Sequence, residues 1–181
     1  MRLAQLFAAG LAALSAVSLG AAPRTEGQRI ARLRIPRIGL DVVVLEGVAD
    51  TTLHRGSGHV PETAWPPPGR RWRGNCVITG HRDSFFLPLR RARAGDLVDL
   101  VDASGSTRTF RLSSKRIVTD DDYWVTDQTG RPRLTLITCY PFRWKGSAPY
   151  RLVWTATPMA PERASSAQRA DAGSSLARPL R

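Results

Sequence analysis

A chain of 181 residues and 19.9 kDa has room for one ordinary domain with extensions, which excludes a multidomain machine. Apolar residues make up 42% and charged residues 23%, close to the globular average, so collagen, coiled coil and polytopic membrane protein all drop out. The formal charge of +12 suits anionic surroundings without choosing among nucleic acid, acidic lipid headgroups and cell-wall polymers. Residues 1–27 carry +1 and residues 159–181 carry +2, so +9 of that charge belongs to the middle of the chain.

In chain order, Arg2 precedes an uncharged, Ala- and Leu-rich run from Leu3 to Ala22. Every helical face of that run is apolar, unlike a core helix, so residues 1–22 read as an export signal or an N-terminal membrane anchor. Gly20 and Ala22 have the small side chains that a cleavage site needs, and a run of about 20 residues also spans a bilayer, so cleavage and retention both stay open. Either way the expected home is extracytoplasmic and oxidising: secreted, periplasmic or membrane-associated. Residues 23–29 are a linker, 30–157 the folded body, and 158–181 a basic tail with hardly any large apolar residue, expected to be disordered.

The body reads as all-β. Short β-branched runs alternate with Gly, Pro and Asp, and no helical period lasts beyond two turns. Candidate strands are Ala31–Ile35, Val42–Glu46, Cys76–Thr79, Leu97–Val101, Thr107–Val118, Leu134–Thr138 and Arg151–Thr155, enough for a small barrel. Asp102-Ala103-Ser104-Gly105-Ser106 marks a hairpin, and the alternation of Leu97, Asp99 and Val101 with Val98 and Leu100 suggests a preceding strand with one wetter face. The prolines of the PETAWPPPGRRWR stretch forbid ladder pairing and predict a polyproline-like surface loop. Short helical turns are expected at Asp50–His54, capped by Asp50 or Thr51, and at Ser84–Arg90.

Scarce reactive side chains direct the search for chemistry: three histidines and two cysteines. Cys139 follows the apolar run Leu134-Thr135-Leu136-Ile137-Thr138 and precedes Tyr140-Pro141, so it lies where a buried strand ends and the backbone turns away. His81 follows Cys76-Val77-Ile78-Thr79-Gly80 in the same manner, with a glycine that admits close approach. If these two strands are parallel neighbours, sulfur and imidazole meet at one end of the sheet. Arg151 opens the last apolar run and brings a permanent cation to the same place if its strand is adjacent. A thiolate attacks carbonyls, a neighbouring cation favours the thiolate, a histidine protonates a leaving amine, and guanidinium donors stabilise a tetrahedral oxyanion.

The segments LRIPRIGLDVVVLEG, GSGHVPETAWP, NCVITGHRDSFFLPLRRARAGDLVDL, LTLITCYPF and APYRLVW, in this order, resemble the sortase family of cysteine transpeptidases and cover nearly all of Arg32 to Trp154. The most specific strings are T-L-x-T-C at Thr135–Cys139 and G-H-R-D at Gly80–Asp83; Tyr140-Pro141-Phe142 is most similar to the class D, class E and Gram-negative branches. The resemblance implies a closed eight-stranded sortase β-barrel. One strand is therefore missing from the seven read above, within Asp50–Trp65 or Asp120–Thr129. It also implies Cys139 as nucleophile, His81 as general acid and Arg151 as oxyanion- or substrate-orienting cation, with Thr138, Asp83 and Tyr140 facing substrate. The implied reaction cleaves an LPxTG-like sorting motif between Thr and Gly through a thioester. The acyl group then passes to an amine of a cell-wall peptide or a pilin lysine. The segment Asp120–Arg133 is expected to flank the substrate groove.

Competing readings are weaker. Extended residues 76–81 put Cys76 about 16 Å from His81 at roughly 3.3 Å per residue, so Cys139 does not reach both and a Cys76–Cys139 disulfide is not expected. No C-x-x-C or H-x-x-x-H pair gathers ligands from His54, His59 and His81, so no metal and no cofactor are expected; His54 reads as a surface residue and His59 as a loop residue bonded to backbone. Asp120, Asp121 and Asp122 diverge along an extended chain and read as solvated charge, not as a Ca²⁺ site. The alternative of another class is a secreted, arginine-rich β-barrel binding anionic polymer without catalysis, through Arg70, Arg71, Arg73, Arg90, Arg91 and Arg93 beside Trp65 and Trp72. No nucleic-acid motif accompanies that cluster, and nucleic acid is not expected as a partner. The expected partners are the sorting-motif protein, the acceptor amine and the bacterial membrane surface, met by a monomer.

Overall fold

The computed structural model describes residues 23–67 and 71–159, so the apolar N-terminal run and almost all of the basic tail lie outside the described residues. Eight strands, β1 (Arg29–Ile35), β2 (Leu40–Glu46), β3 (Ser57–His59), β4 (Asn75–Thr79), β5 (Leu97–Asp102), β6 (Thr107–Thr119), β7 (Arg133–Tyr140) and β8 (Tyr150–Pro158), close into a barrel in the order β1-β2-β3-β4-β7-β8-β6-β5. The all-β expectation and the closed eight-stranded barrel both hold. The strand absent from the sequence reading is β3, inside Asp50–Trp65. It pairs parallel with β2 and antiparallel with β4, yet its Ser-Gly-His sequence offers no apolar alternation to reveal it. The other candidate range, Asp120–Thr129, holds a 3₁₀ turn at Tyr123–Thr126.

Two-residue alternation sorts the side chains. Cys76 and Ile78 of β4, Leu134 and Leu136 of β7, and Leu152, Trp154 and Ala156 of β8 point into the barrel, where they join Leu33, Val44, Phe110 and others in one core. The odd-numbered neighbours point outward, and there Val77, Ile137 and Val153 would meet water. Instead Val125 of the 3₁₀ turn covers them in a second, smaller cluster. The β4-β7-β8 wall is therefore dry on both faces, which explains why its sequence reads as continuous apolar runs. On β5 the expected alternation is present, with Val98 and Leu100 buried and Leu97 exposed. The following hairpin is closed by Asp102, whose carboxylate accepts from the backbone of Ser104 and Ser106.

Several local expectations need correction. The one-turn helix α1 (Asp50–Leu53) starts from Ala49 with no side-chain cap, so neither Asp50 nor Thr51 caps it. The second turn runs over Leu87–Arg91, three residues later than expected at its start. His59 is a buried strand residue, and its Nδ1 meets the Glu46 carboxylate at 3.0 and 3.1 Å while Nε2 meets Thr63 Oγ1 at 3.0 Å. Its partners are side chains, not the backbone of a loop. Trp72 is in the core against Phe110, and Trp65 packs edge-on against His59. Those two tryptophans therefore hold the barrel together instead of facing a polymer.

Asn75 fastens the outer loop to the wall. Its side-chain amide donates to the carbonyls of Val125 and Asp127 at 3.0 and 3.2 Å, and its Oδ1 accepts from Thr135 Oγ1 at 2.6 Å, with the bonds to Val125 and Thr135 fully buried. Asn75→Ala strands a buried hydroxyl and two carbonyls, an expected loss of about 2 kcal/mol. Thermal unfolding should register it as a midpoint lower by roughly 5–10 °C. A midpoint within a degree or two of the parent would mean that the loop is held by Val125 alone.

Candidate active site

The sites of Cys139, His81 and Arg151 follow from strand register. β4 and β7 run parallel, with Thr79 beside Ile137, and the ladder continues past the end of β4 where Gly80 N–H donates to the Ile137 carbonyl at 3.2 Å. Carried on two residues, that register sets His81 alongside Cys139. β8 runs antiparallel to β7 with Cys139 directly opposite Arg151. Cys139 and Arg151 continue the outward-pointing series of their strands, Ile137 and Cys139 on β7 and Arg151 and Val153 on β8, and His81 follows two residues past Thr79, the last residue of β4. The expectation that these strands are neighbours is met by the topology.

Local chemistry fixes each member. β7 ends at Tyr140 because Pro141 has no N–H for the ladder, which leaves Cys139 partly exposed at the rim. Cys76 contrasts with it. That thiol is fully enclosed in the core, burial pushes its pKa well up, and neither cysteine is in a disulfide. A bonded Cys76–Cys139 pair is thus excluded, and Cys139 is the thiol that reaches the surface. Gly80 has no side chain because the Phe86 ring lies against its backbone; a Cβ there would sit 3.1 Å from ring carbons. Phe86 N–H in turn donates to the His81 carbonyl at 3.0 Å, so the turn carrying the imidazole is packed and bonded.

Thr138 belongs to the opposite face from Cys139, and its buried hydroxyl donates to the Gly80 carbonyl at 2.7 Å. It ties the His81 turn to the cysteine strand. Tyr140 shares that inner face and packs edge-on against Phe142 at the rim of the core. Asp83 is exposed on the turn after His81. Arg151 Nη1 donates to the carbonyls of Ala148 and Tyr150, both at 2.9 Å, and Nη2 lies 3.8 Å from Asp120 Oδ2. The guanidinium is therefore oriented by the backbone before β8 and by a carboxylate from the β6–β7 loop.

Three contributors escaped the sequence reading. Arg82 donates to the carbonyls of Trp144 and Gly146 at 2.9 and 3.1 Å, clamping the His81 turn to the β7–β8 loop. It stands inside the G-H-R-D string, so the motif carried the signal while the role needed coordinates. Asp120 was grouped with its two neighbours as solvated charge, but it is the one that meets Arg151. Asp121 and Asp122 accept from the Thr119 hydroxyl, and this bonding holds the Asp122 carboxyl below the usual range. The third is His54, whose ring meets that of His81 edge-on at 5.2 Å between centroids. Farther along the same outer face, Arg116, Trp124, Val125, Val153 and Thr155 line a pocket of about 210 Å³.

The chain belongs to the sortase family: the family model described as the sortase domain matches residues 33–159. It is 32% identical to sortase D of Bacillus subtilis (strain 168) over 127 residues, covering 70% of this chain and 62% of that protein. It is 28% identical to sortase A of Bacillus anthracis over 116 residues, covering 62% of this chain and 52% of that one. The chain thus spans about half to three fifths of the length of these curated relatives. Among solved structures, a sortase D5 transpeptidase of Clostridium perfringens superposes with a TM-score of 0.65 at 23% identity, covering 76% of this chain and 83% of that one. The class D names are consistent with the branch suggested by the Tyr140-Pro141-Phe142 string.

Proposed function

We propose that the protein is a cysteine transpeptidase that cleaves an LPxTG-like sorting motif between Thr and Gly and passes the acyl group to an amine. The observation that carries this reading is Cys139 directly opposite Arg151 on β7 and β8, with His81 two residues past the end of the neighbouring β4. In the first step the Cys139 thiolate forms a C–S bond to the threonine carbonyl carbon. The oxyanion so created lies toward the Arg151 guanidinium, whose charge and forked donors stabilise it. The C–N bond then breaks, His81 gives its proton to the departing glycine amine, and a thioester remains. In the second step an amine attacks that thioester, His81 takes the proton back, and Cys139 leaves as thiolate.

Asp83 flanks the mouth from the turn after His81, Tyr140 supports the rim from the core side, and the outer-face pocket beside Trp124 receives residues of the substrate ahead of the scissile bond. Thr138 acts by holding the His81 turn. The acceptor is a cell-wall peptide or a pilin lysine. The apolar segment of residues 1–22 supports an extracytoplasmic site of action at the membrane surface, and the barrel works as a monomer. The arginine-rich binding-module alternative loses its support because Trp72 is a core residue and Arg91 is bonded to the Ile38 carbonyl.

The test is incubation with a panel of LPxTG-like fluorogenic peptides, with and without added amine, followed by mass spectrometry of the intact protein. The expected result is an acyl adduct on Cys139 and a ligated product that appears only when amine is present. Cleavage without ligation would reduce the reading to a peptidase, and no adduct with any peptide would overturn it.

A further inference from the structure

We infer that Asp50, His54 and His81 form an inhibitory site for a divalent cation of the zinc class, set beside the reactive thiol. The inhibitory half of this inference rests on the role proposed above for His81; the binding half does not. Asp50 and His54 stand four residues apart on α1 and its C-terminal cap, so they share one face of the turn, and His54 Nδ1 lies 3.4 Å from Asp50 Oδ2. The His81 ring meets the His54 ring edge-on, with 5.2 Å between centroids. One ligand-capable atom from each of the three residues lies within 4.8 Å of the others.

The donor set decides the ion. Two imidazoles and one carboxylate suit Zn²⁺, Co²⁺ or Ni²⁺, whereas Ca²⁺ and Mg²⁺ require mostly oxygen. Tetrahedral Zn²⁺ with bonds near 2.0–2.1 Å needs donors about 3.4 Å apart, so the three must draw together slightly. The two that move are exposed, Asp50 by 82% and His54 by 66%, and closure must break or bypass the 2.7 Å contact of His54 Nδ1 with the Asp50 backbone carbonyl. His81 supplies an independent pointer. Its Nε2 is buried and has no hydrogen-bond partner, so a ring nitrogen sits withdrawn from solvent with nothing to bind. Three protein donors leave a fourth position for water. A cation held there occupies the imidazole that moves the proton, and turnover stops.

Asp-x-x-x-His is the helical spacing of H-x-x-x-H with a carboxylate in the first place, and the third donor comes from the turn after β4.

The experiment titrates ZnCl2 into the full chain by calorimetry, with Co²⁺ absorption reporting coordination geometry, for the parent, Asp50→Asn, His54→Ala and Cys139→Ala. One ion should bind per chain with a tetrahedral Co²⁺ spectrum. Asp50→Asn and His54→Ala should each weaken binding at least about tenfold, a loss of roughly 1.4 kcal/mol or more, while Cys139→Ala stays within about threefold. Peptide turnover is then followed against ZnCl2 for each active variant relative to its own metal-free rate. The half-inhibitory concentration should rise with the dissociation constant. Unchanged binding in His54→Ala, or loss of binding in Cys139→Ala, would overturn the site, the latter by showing that thiol and imidazole alone capture the metal. Tight binding with no effect on turnover overturns inhibition while leaving the site standing.

Discussion

Cys139→Ala is expected to remove all measurable peptide turnover, a fall on the order of 10⁴-fold or more, while leaving the barrel folded. The replaced side chain points outward from a partly exposed rim position, so no core contact is lost and the unfolding midpoint should move little. Cys76→Ala should do the reverse. It empties space in a fully buried position and costs about 1 kcal/mol of stability, yet the reactive thiol count drops from one to none only in the Cys139 variant. Circular dichroism, titration with a thiol reagent on the folded chain, and steady-state rates separate the two. Residual turnover above a tenth in Cys139→Ala, or abolition in Cys76→Ala with the fold intact, would assign the wrong sulfur.

The second large effect is expected at Arg151. Arg151→Ala should lower kcat by about 10²- to 10³-fold, with a smaller change in KM, because in the proposed mechanism the guanidinium acts on charge that appears only in the transition state. Arg151→Lys should recover little of that. An ammonium keeps the charge but cannot donate to Ala148 and Tyr150 while presenting a second arm to the site, as the guanidinium fork does at 2.9 Å to each carbonyl. Asp120 lies 3.8 Å from the other arm and is an orienting group, not the source of the effect. Either variant retaining a third of the parental kcat would show that the cation serves structure alone.

Strand runs were legible wherever β-branched residues repeat. The meeting of Cys139 with Arg151 was readable because each stands at the rim end of an apolar run, so a chain-order pattern translated directly into sheet geometry. What the residues alone did not disclose was the partner order: β4 lies beside β7 through a parallel pairing that spans nearly 60 residues, and only the family strings implied it. β3 was invisible for a different reason. Its Gly58 is compelled by the Gly47 carbonyl that lies where a Cβ would go, so close backbone approach displaced the apolar side chains that announce a strand. His59 was misread on the same account, since a strand too short to recognise cannot be known to bury its histidine. Thr138 shows the limit of motif reading: the string marks its importance, but two-residue alternation turns its hydroxyl away from the sulfur and toward Gly80.

Because sulfur and guanidinium occupy facing rungs of two hydrogen-bonded strands, their separation is a property of the ladder and is indifferent to the side chains of the hairpin tip between them. On the proposed mechanism, exchange of residues at that tip, Arg143, Trp144 and Lys145 among them, is expected to alter what docks at the rim without detuning the reacting atoms. Recognition and reactivity are thereby housed in separable parts of one short stretch of chain, the condition under which a single scaffold diversifies its clientele.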